Sequence, residues 1–153
     1  MADRISKEER SVLMSRVRAR GNASTELAVM HLLQRLDLRG WRRHLKLGVG
    51  ESRNVKKVAS RPDFVFRKRR IAIFVHGCFW HGCPKHGTLP KTRTLWWAEK
   101  ISANIIRDRA TEEALKKLGW RVIIIWEHEL RRGEHGVETK LVRAFDDASQ
   151  ISP

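Results

Sequence analysis

The stretch "RPDFVFRKRRIAIFVHGCFWHGCPKH", Arg61 to His86, decides how this chain folds. Pro62 has no N–H to give a ladder, so it belongs at the first position or the edge of a strand. Asp63–Arg67 and Ile71–Val75 then read as two strands, with "RKRR", Arg67 to Arg70, as the hairpin turn between them. Directly after the second strand come His76, His81, His86, both cysteines of the chain and the adjacent pair Phe79-Trp80. A strand that empties into so dense a set of ligating and aromatic side chains is carrying a site at its C-terminal end.

Working outward, "KKLGWRVIIIW", Lys116 to Trp126, supplies the strand's neighbour. Gly119 can take the left-handed conformation that ends a helix. Arg121–Trp126 then reads as a strand buried on both faces, because three consecutive isoleucines leave no polar side. Upstream, Trp97, Ile101 and Ile105 recur at four-residue spacing and predict a long helix over Thr94–Leu118. Strand, helix and apolar strand make a right-handed crossover to a parallel central strand. A last helix is expected over Val137–Ala148.

Toward the N-terminus, Ser6-Lys7-Glu8-Glu9 has the form of a capping box. It opens a helix over Lys7–Arg18, which "RARGN" is expected to break. Asn22 or Ser24 caps a second helix, with Leu27, Val29, Met30, Leu32, Leu33 and Leu36 on its apolar face and Gly40 beyond its end. Trp41–Leu47 reads as a further strand. "GVGESRNVKKVAS", residues 48–60, has no periodicity and reads as a mobile basic loop. The order α-α-β-β-β-α-β-α is that of an α/β domain with a mixed central sheet flanked by helices, and 153 residues fit a single domain spanning 1–153.

Charge narrows the partners. Thirty-two Lys and Arg against seventeen Asp and Glu give +15, with a pI near 11.0, which points to a polyanion. No strongly amphipathic Lys-rich helix supports a membrane surface instead, and no apolar run approaches a membrane span. The first ten residues lack the apolar core of a secretory signal, so a reducing cytoplasm is expected, with thiols free or metal-bound.

The site residues suggest two metals. Asp63 stands at the mouth of the sheet, where one carboxylate with waters and phosphates suits Mg²⁺. A turn cap or an ion pair with Arg61 explains the same aspartate. Cys78, Cys83 and His86 suit Zn²⁺, with His128, just past the apolar strand, as the fourth ligand, because parallel neighbours bring their C-terminal ends together. Two ordinary cysteines in a Gly-rich loop are the plainer reading. His76 and His81 are then left over, either structural or able to take a proton from water near neutral pH. Phe79-Trp80 and Trp96-Trp97 suit stacking on bases or a wedge between them, against simple core packing.

"RPDF", "IFVHGCFWHGC", "TR…WW…KI…N…RD" and "LGWRVIIIWE", in this order, resemble the very short patch repair (Vsr) endonucleases, as does "SVLMSRVRARGNASTE" near the N-terminus. The likeness covers about Ser11 to Leu130. It implies a PD-(D/E)XK, restriction-endonuclease-like core with a zinc-stapled loop. It implies a bacterial enzyme that travels with the nucleoid and nicks one strand, Mg²⁺-dependent, 5′ to the T of a T:G mismatch in double-stranded DNA. It further implies a monomer and a mismatch-repair partner of the MutL kind. By position, Asp63 is the principal Mg²⁺ ligand, with the backbone carbonyl of Val75 on the same metal. His81 is the general base, and His76 and Glu26 orient water and phosphate. Phe79, Trp80 and Trp97 form the wedge, and Met14, on an N-terminal DNA-contacting arm of residues 1–23, reaches the opposite groove. Val75 stands where Thr is expected, which is harmless if only the carbonyl binds. The zinc set keeps its count of four with His128 in place of a cysteine. The 48–60 loop has the look of an insertion. A restriction-like nuclease of the same fold without mismatch specificity, and a non-catalytic zinc-stabilised DNA-binding protein, are the alternatives.

Overall fold

The computed structural model describes residues 7–49 and 58–149. In chain order the elements are α1 (Lys7–Arg35), β1 (Arg42–Arg43), β2 (Leu47–Val49), β3 (Val58–Ser60), β4 (Phe64–Phe66), β5 (Ile71–His76), α2 (Thr94–Lys117), β6 (Arg121–Trp126), α3 (Glu127–Arg131) and α4 (His135–Ser149). β1, β4, β5 and β6 form one mixed sheet in that order, while β2 and β3 pair antiparallel in a small second sheet. β4 runs antiparallel to β5, and β5 runs parallel to β6 over six pairs, from Ile71↔Arg121 to His76↔Trp126.

Alternation along the strands assigns the two faces. Phe64, Phe66, Ile71, Ile73, Ile123 and Ile125 point to one side and pack with Val29, Leu32 and Leu33 of α1 and Val137, Leu141 and Phe145 of α4. Val65, Ala72, Phe74 and Val122 point to the other, against Leu115 of α2 and Leu47 of β2. Helices therefore cover both faces of an α/β sheet, as the sequence predicts. The end of α2 also follows the prediction: Gly119 takes φ 79, its N–H reaches Lys116 O, and Trp120 N–H reaches Leu115 O at 3.0 Å.

Four expectations are corrected. β6, expected as a central strand, stands at the end of the sheet and pairs among the described residues with β5 alone; it is apolar because α4 and α2 cover its two faces, not because strands flank it. "RARGN" does not break the first helix: α1 runs through it, since an internal glycine costs a helix only about 1 kcal/mol. The strand expected over Trp41–Leu47 is split into β1 and β2, because His44 adopts a left-handed φ of 50 and cannot continue a ladder. The 48–60 segment is not all loop, since β2 and β3 pair across it, while 50–57 lies outside the described residues. The Ser6 cap falls outside them too. α3 was not anticipated. Among the described residues no helix is long and apolar enough to cross a membrane.

Candidate active site

The C-terminal end of β5 gathers two clusters, one on each face of the sheet. On the α1 face, the Asp63 N–H donates to Ile73 O, and its Oδ2 accepts the Val75 N–H at 2.7 Å. This fixes the carboxylate beside the Val75 peptide. Glu26, from α1, is 8% exposed and holds Arg43 Nη2 at 2.5 Å and His44 Nε2 at 3.0 Å. The left-handed turn at His44 directs its exposed ring to Glu26, and its own N–H donates to Asp63 O. Ligating atoms of Glu26, His44 and Asp63 lie within 4.8 Å of one another. Burial raises Asp63 to about 6, opposed by the Val75 N–H and reinforced by the Glu26 charge. The Glu26 charge this close favours the protonated form of Asp63 unless a further cation joins them.

On the α2 face, His76 follows the parity of Ala72 and Phe74. Its ring stacks on His81 with centroids 3.9 Å apart and planes 5° from parallel. His81 Nδ1 lies 2.6 Å from Asp108 Oδ2, on α2. Burial and the adjacent His81 push His76 down to about 4, so it is neutral at physiological pH. Burial acts to raise Asp108, but its hydrogen bond with His81 and the charges of His81, His76 and Arg107 together outweigh that and hold it below the ordinary carboxylate range.

The predicted metal set converges. Cys78 Sγ and Cys83 Sγ lie 3.3 and 3.4 Å from His128 Nδ1, and Cys83 Sγ lies 3.9 Å from His86 Nδ1. A tetrahedral Zn²⁺ with ordinary Zn–S and Zn–N lengths separates sulfur from nitrogen by about 3.6 Å, so the four side chains fit that ion without rearrangement. His128 comes from α3 and the other three from the loop, so the set ties the loop to the end of β6. Around it, Cys78 N–H reaches Glu127 Oε2 at 3.3 Å, and Glu127 in turn holds Arg131. Gly82, at φ 59, rests on α2 so closely that an added Cβ would fall 2.6 Å from Ile105 Cδ1.

The three predicted wedge aromatics also meet. Trp97 packs on Phe79 at 5.3 Å and Trp80 at 5.8 Å, with Phe79 and Trp80 at 4.9 Å. They are half-buried against one another rather than turned wholly outward. Trp96 joins at 4.8 Å from Trp97, with Arg93 and Lys100 over its ring. Asn104 fixes the loop from α2 by donating to Trp80 O at 2.9 Å. Met14 lies on α1, but its side chain is outside the described residues.

Sequence reasoning missed Asp108, Asn104, Arg43 and His44. A signal existed for the first two: Trp97, Ile101, Asn104, Ile105 and Asp108 share one helical face. No such signal marked His44, whose role depends on a backbone reversal.

A family model described as "DNA mismatch endonuclease Vsr" matches residues 2–86. The chain belongs to the Vsr family. The type II nicking enzyme V.XorIIP of Xanthomonas oryzae pv. oryzae is 44% identical over 132 residues, covering 85% of this chain and 88% of its own. The type II nicking enzyme V.NaeI of Lentzea aerocolonigenes is 37% identical, covering 78% and 76%. The DNA mismatch endonuclease Vsr of Escherichia coli is 46% identical over 90 residues, covering 57% and 56%. Membership in the Vsr family makes the chain a DNA endonuclease and sets aside the reading as a non-catalytic binder.

Proposed function

We propose that this Vsr-family chain nicks one strand of duplex DNA at a T:G mismatch, hydrolysing the phosphodiester 5′ to the mismatched T with Mg²⁺. One relationship carries the reading: Asp63 and Glu26 face each other at one side of the β5 end, and the His81–Asp108 pair stands at the other. The Asp63 carboxylate, with the Val75 carbonyl and Glu26 nearby, is a hard oxygen set suited to Mg²⁺. When bound, that ion polarises the scissile phosphate and makes water more acidic.

The chain's own groups do the rest. Asp108 accepts the Nδ1–H of His81, which leaves the Nε2 lone pair free to take a proton from the attacking water. Neutral His76, stacked on that ring, keeps the imidazole in one plane without adding a second positive charge. Cys78, Cys83, His86 and His128 would hold a structural Zn²⁺, fixing the loop that carries His81 and two of the aromatics. Phe79, Trp80 and Trp97 supply the wedge, and a mismatched pair costs less to unstack than a matched one. The excess of basic residues supplies sequence-independent attraction to the backbone. A MutL-type partner belongs to the same repair reading.

A second reading keeps the nuclease and drops the mismatch. It is favoured by the curated relatives titled type II nicking enzymes. The test is a Mg²⁺ nicking assay on duplexes labelled on each strand. The proposal expects one cut strand and an inactive Asp63→Ala variant. Cutting of both strands, or an Asp63→Ala variant as active as wild type, contradicts it.

A further inference from the structure

The opposite end of the sheet carries a second basic feature that the nicking reaction does not use. A cleft of about 760 Å³ opens where β5 and β6 begin. Lys68, Arg69 and Arg70 of the β4–β5 turn line it, with Lys116 at the end of α2 and Trp120 and Arg121 at the start of β6. Among the described residues no carboxylate lines it. Lys116 and Arg121 have acidic neighbours, Glu112 at 2.6 Å and Asp147 at 3.3 Å. Lys68, Arg69 and Arg70 have no carboxylate partner among the described residues.

The turn is built to hold these charges in place. Arg70 takes a left-handed φ of 50 and donates from Nη1 to Leu118 O at 3.1 Å, while its carbonyl accepts the Arg121 N–H at 2.8 Å. The Arg69 guanidinium lies over the Phe145 ring at 5.3 Å. Anchored cations lose less freedom on binding an anion than free surface lysines do.

Geometry separates this cleft from the reaction. Five steps of β5 at about 3.3 Å put the two ends of the strand roughly 17 Å apart, and they face opposite ways. A straight duplex seated at the His76 end cannot also enter the cleft at the Ile71 end. The lining also has little to offer an apolar side chain, because Trp120 and Val122 are already packed in the second core cluster. Contact there is by charge, which is how a phosphodiester backbone is held.

We infer that the cleft formed by Lys68, Arg69, Arg70, Lys116 and Arg121 is a second DNA site, which grips the phosphates of a separate duplex segment while the catalytic end holds the substrate. Such a protein bridges two segments and can pass from one to the other without full release. The inference rests on the chain being a DNA endonuclease, not on its mismatch preference.

The test uses the full zinc-loaded chain in magnesium-free buffer. A donor-labelled hairpin duplex containing a T:G pair is held at saturation, and an acceptor-labelled matched duplex is titrated in. Wild type should give energy transfer. Lys68→Glu/Arg69→Glu should weaken the second duplex by about tenfold or more and lower its log–log salt slope by about 2, since each phosphate contact contributes roughly 0.9. With Mg²⁺ restored, that variant should nick the hairpin at the wild-type rate. Unchanged energy transfer in the variant overturns the inference. So does a poly-glutamate peptide that occupies the cleft more tightly than DNA of equal charge. So does loss of hairpin nicking, which would put these residues in the substrate site. If wild type nicks no duplex at all, the proposed reaction fails, while the magnesium-free titration still decides this site.

Discussion

His81 Nδ1 and Asp108 Oδ2 lie 2.6 Å apart, joining a loop histidine to a helix aspartate 27 positions away in sequence. The pair fixes which ring nitrogen carries the proton, and it links the zinc-type loop to α2. The proposed proton transfer to His81 turns on that contact.

Replacing Asp108 with Asn should therefore lower nicking by about 10²- to 10⁴-fold, because an amide can hold the wrong tautomer in place. The effect should fall on kcat rather than KM. His81→Ala should cost a similar factor, and the double variant little more than either, since the two act as a unit. Rapid-quench nicking with measured zinc content checks this. Equal activity in Asp108→Asn would show that the pair only braces the fold.

The shifts at Asp63 and His76 oppose each other in acid. Asp63 is raised to about 6, so the stability its protonation contributes is present below about 4 and is lost as pH rises through 6. His76 is lowered to about 4, so its contribution is present above about 6.5 and is lost as pH falls through 4. Asp63→Asn removes the first of these. The stability gain of that variant over wild type, both without Mg²⁺, should grow between about pH 4 and 6 and then level off near 3 kcal/mol at most. Urea titrations across pH read it directly. A gain that does not change with pH would mean that Asp63 ionises normally.

Metal content should separate the two roles of the loop. His128→Ala should drop zinc well below one ion per chain and lower the melting temperature, since a removed ligand removes folding energy. His81→Ala should keep its zinc and its melting temperature while losing nicking. Elemental analysis with thermal melts checks both. Full zinc in His128→Ala, or zinc loss in His81→Ala, reverses the assignment.

Trp97 touches Phe79, Trp80 and Trp96, so Trp97→Ala should reduce the preference for mismatched over matched duplex more than it reduces binding to matched DNA. Parallel binding titrations on the two duplexes measure it. An equal loss on both would leave these aromatics with a packing role alone.

The framework was legible where local pattern and tertiary environment agree. β6 is apolar at five of six positions and matches its predicted bounds, and Gly119 marks the end of α2. The zinc-type set was legible because both cysteines of the chain lie close to His86, and because parallel strands bring His128 to the loop. What escaped depended on geometry that a pattern does not carry. His44 reads as a strand residue until its φ of 50 turns it onto Glu26. Asp108 reads as a solvated helix charge until the loop folds His81 over it. The first helix was misread because a glycine and an asparagine look like a stop, while their cost is small beside that of ending a long helix.

The most direct measurement is single-turnover nicking in Mg²⁺ of two duplexes that differ only in a T:G or T:A pair, with each strand labelled. A mismatch-directed nickase gives one cut, 5′ to the T, fast on T:G and slower by at least about tenfold on T:A. Equal rates on the two duplexes would contradict the mismatch-directed reading and leave a nicking nuclease of the same family with another target.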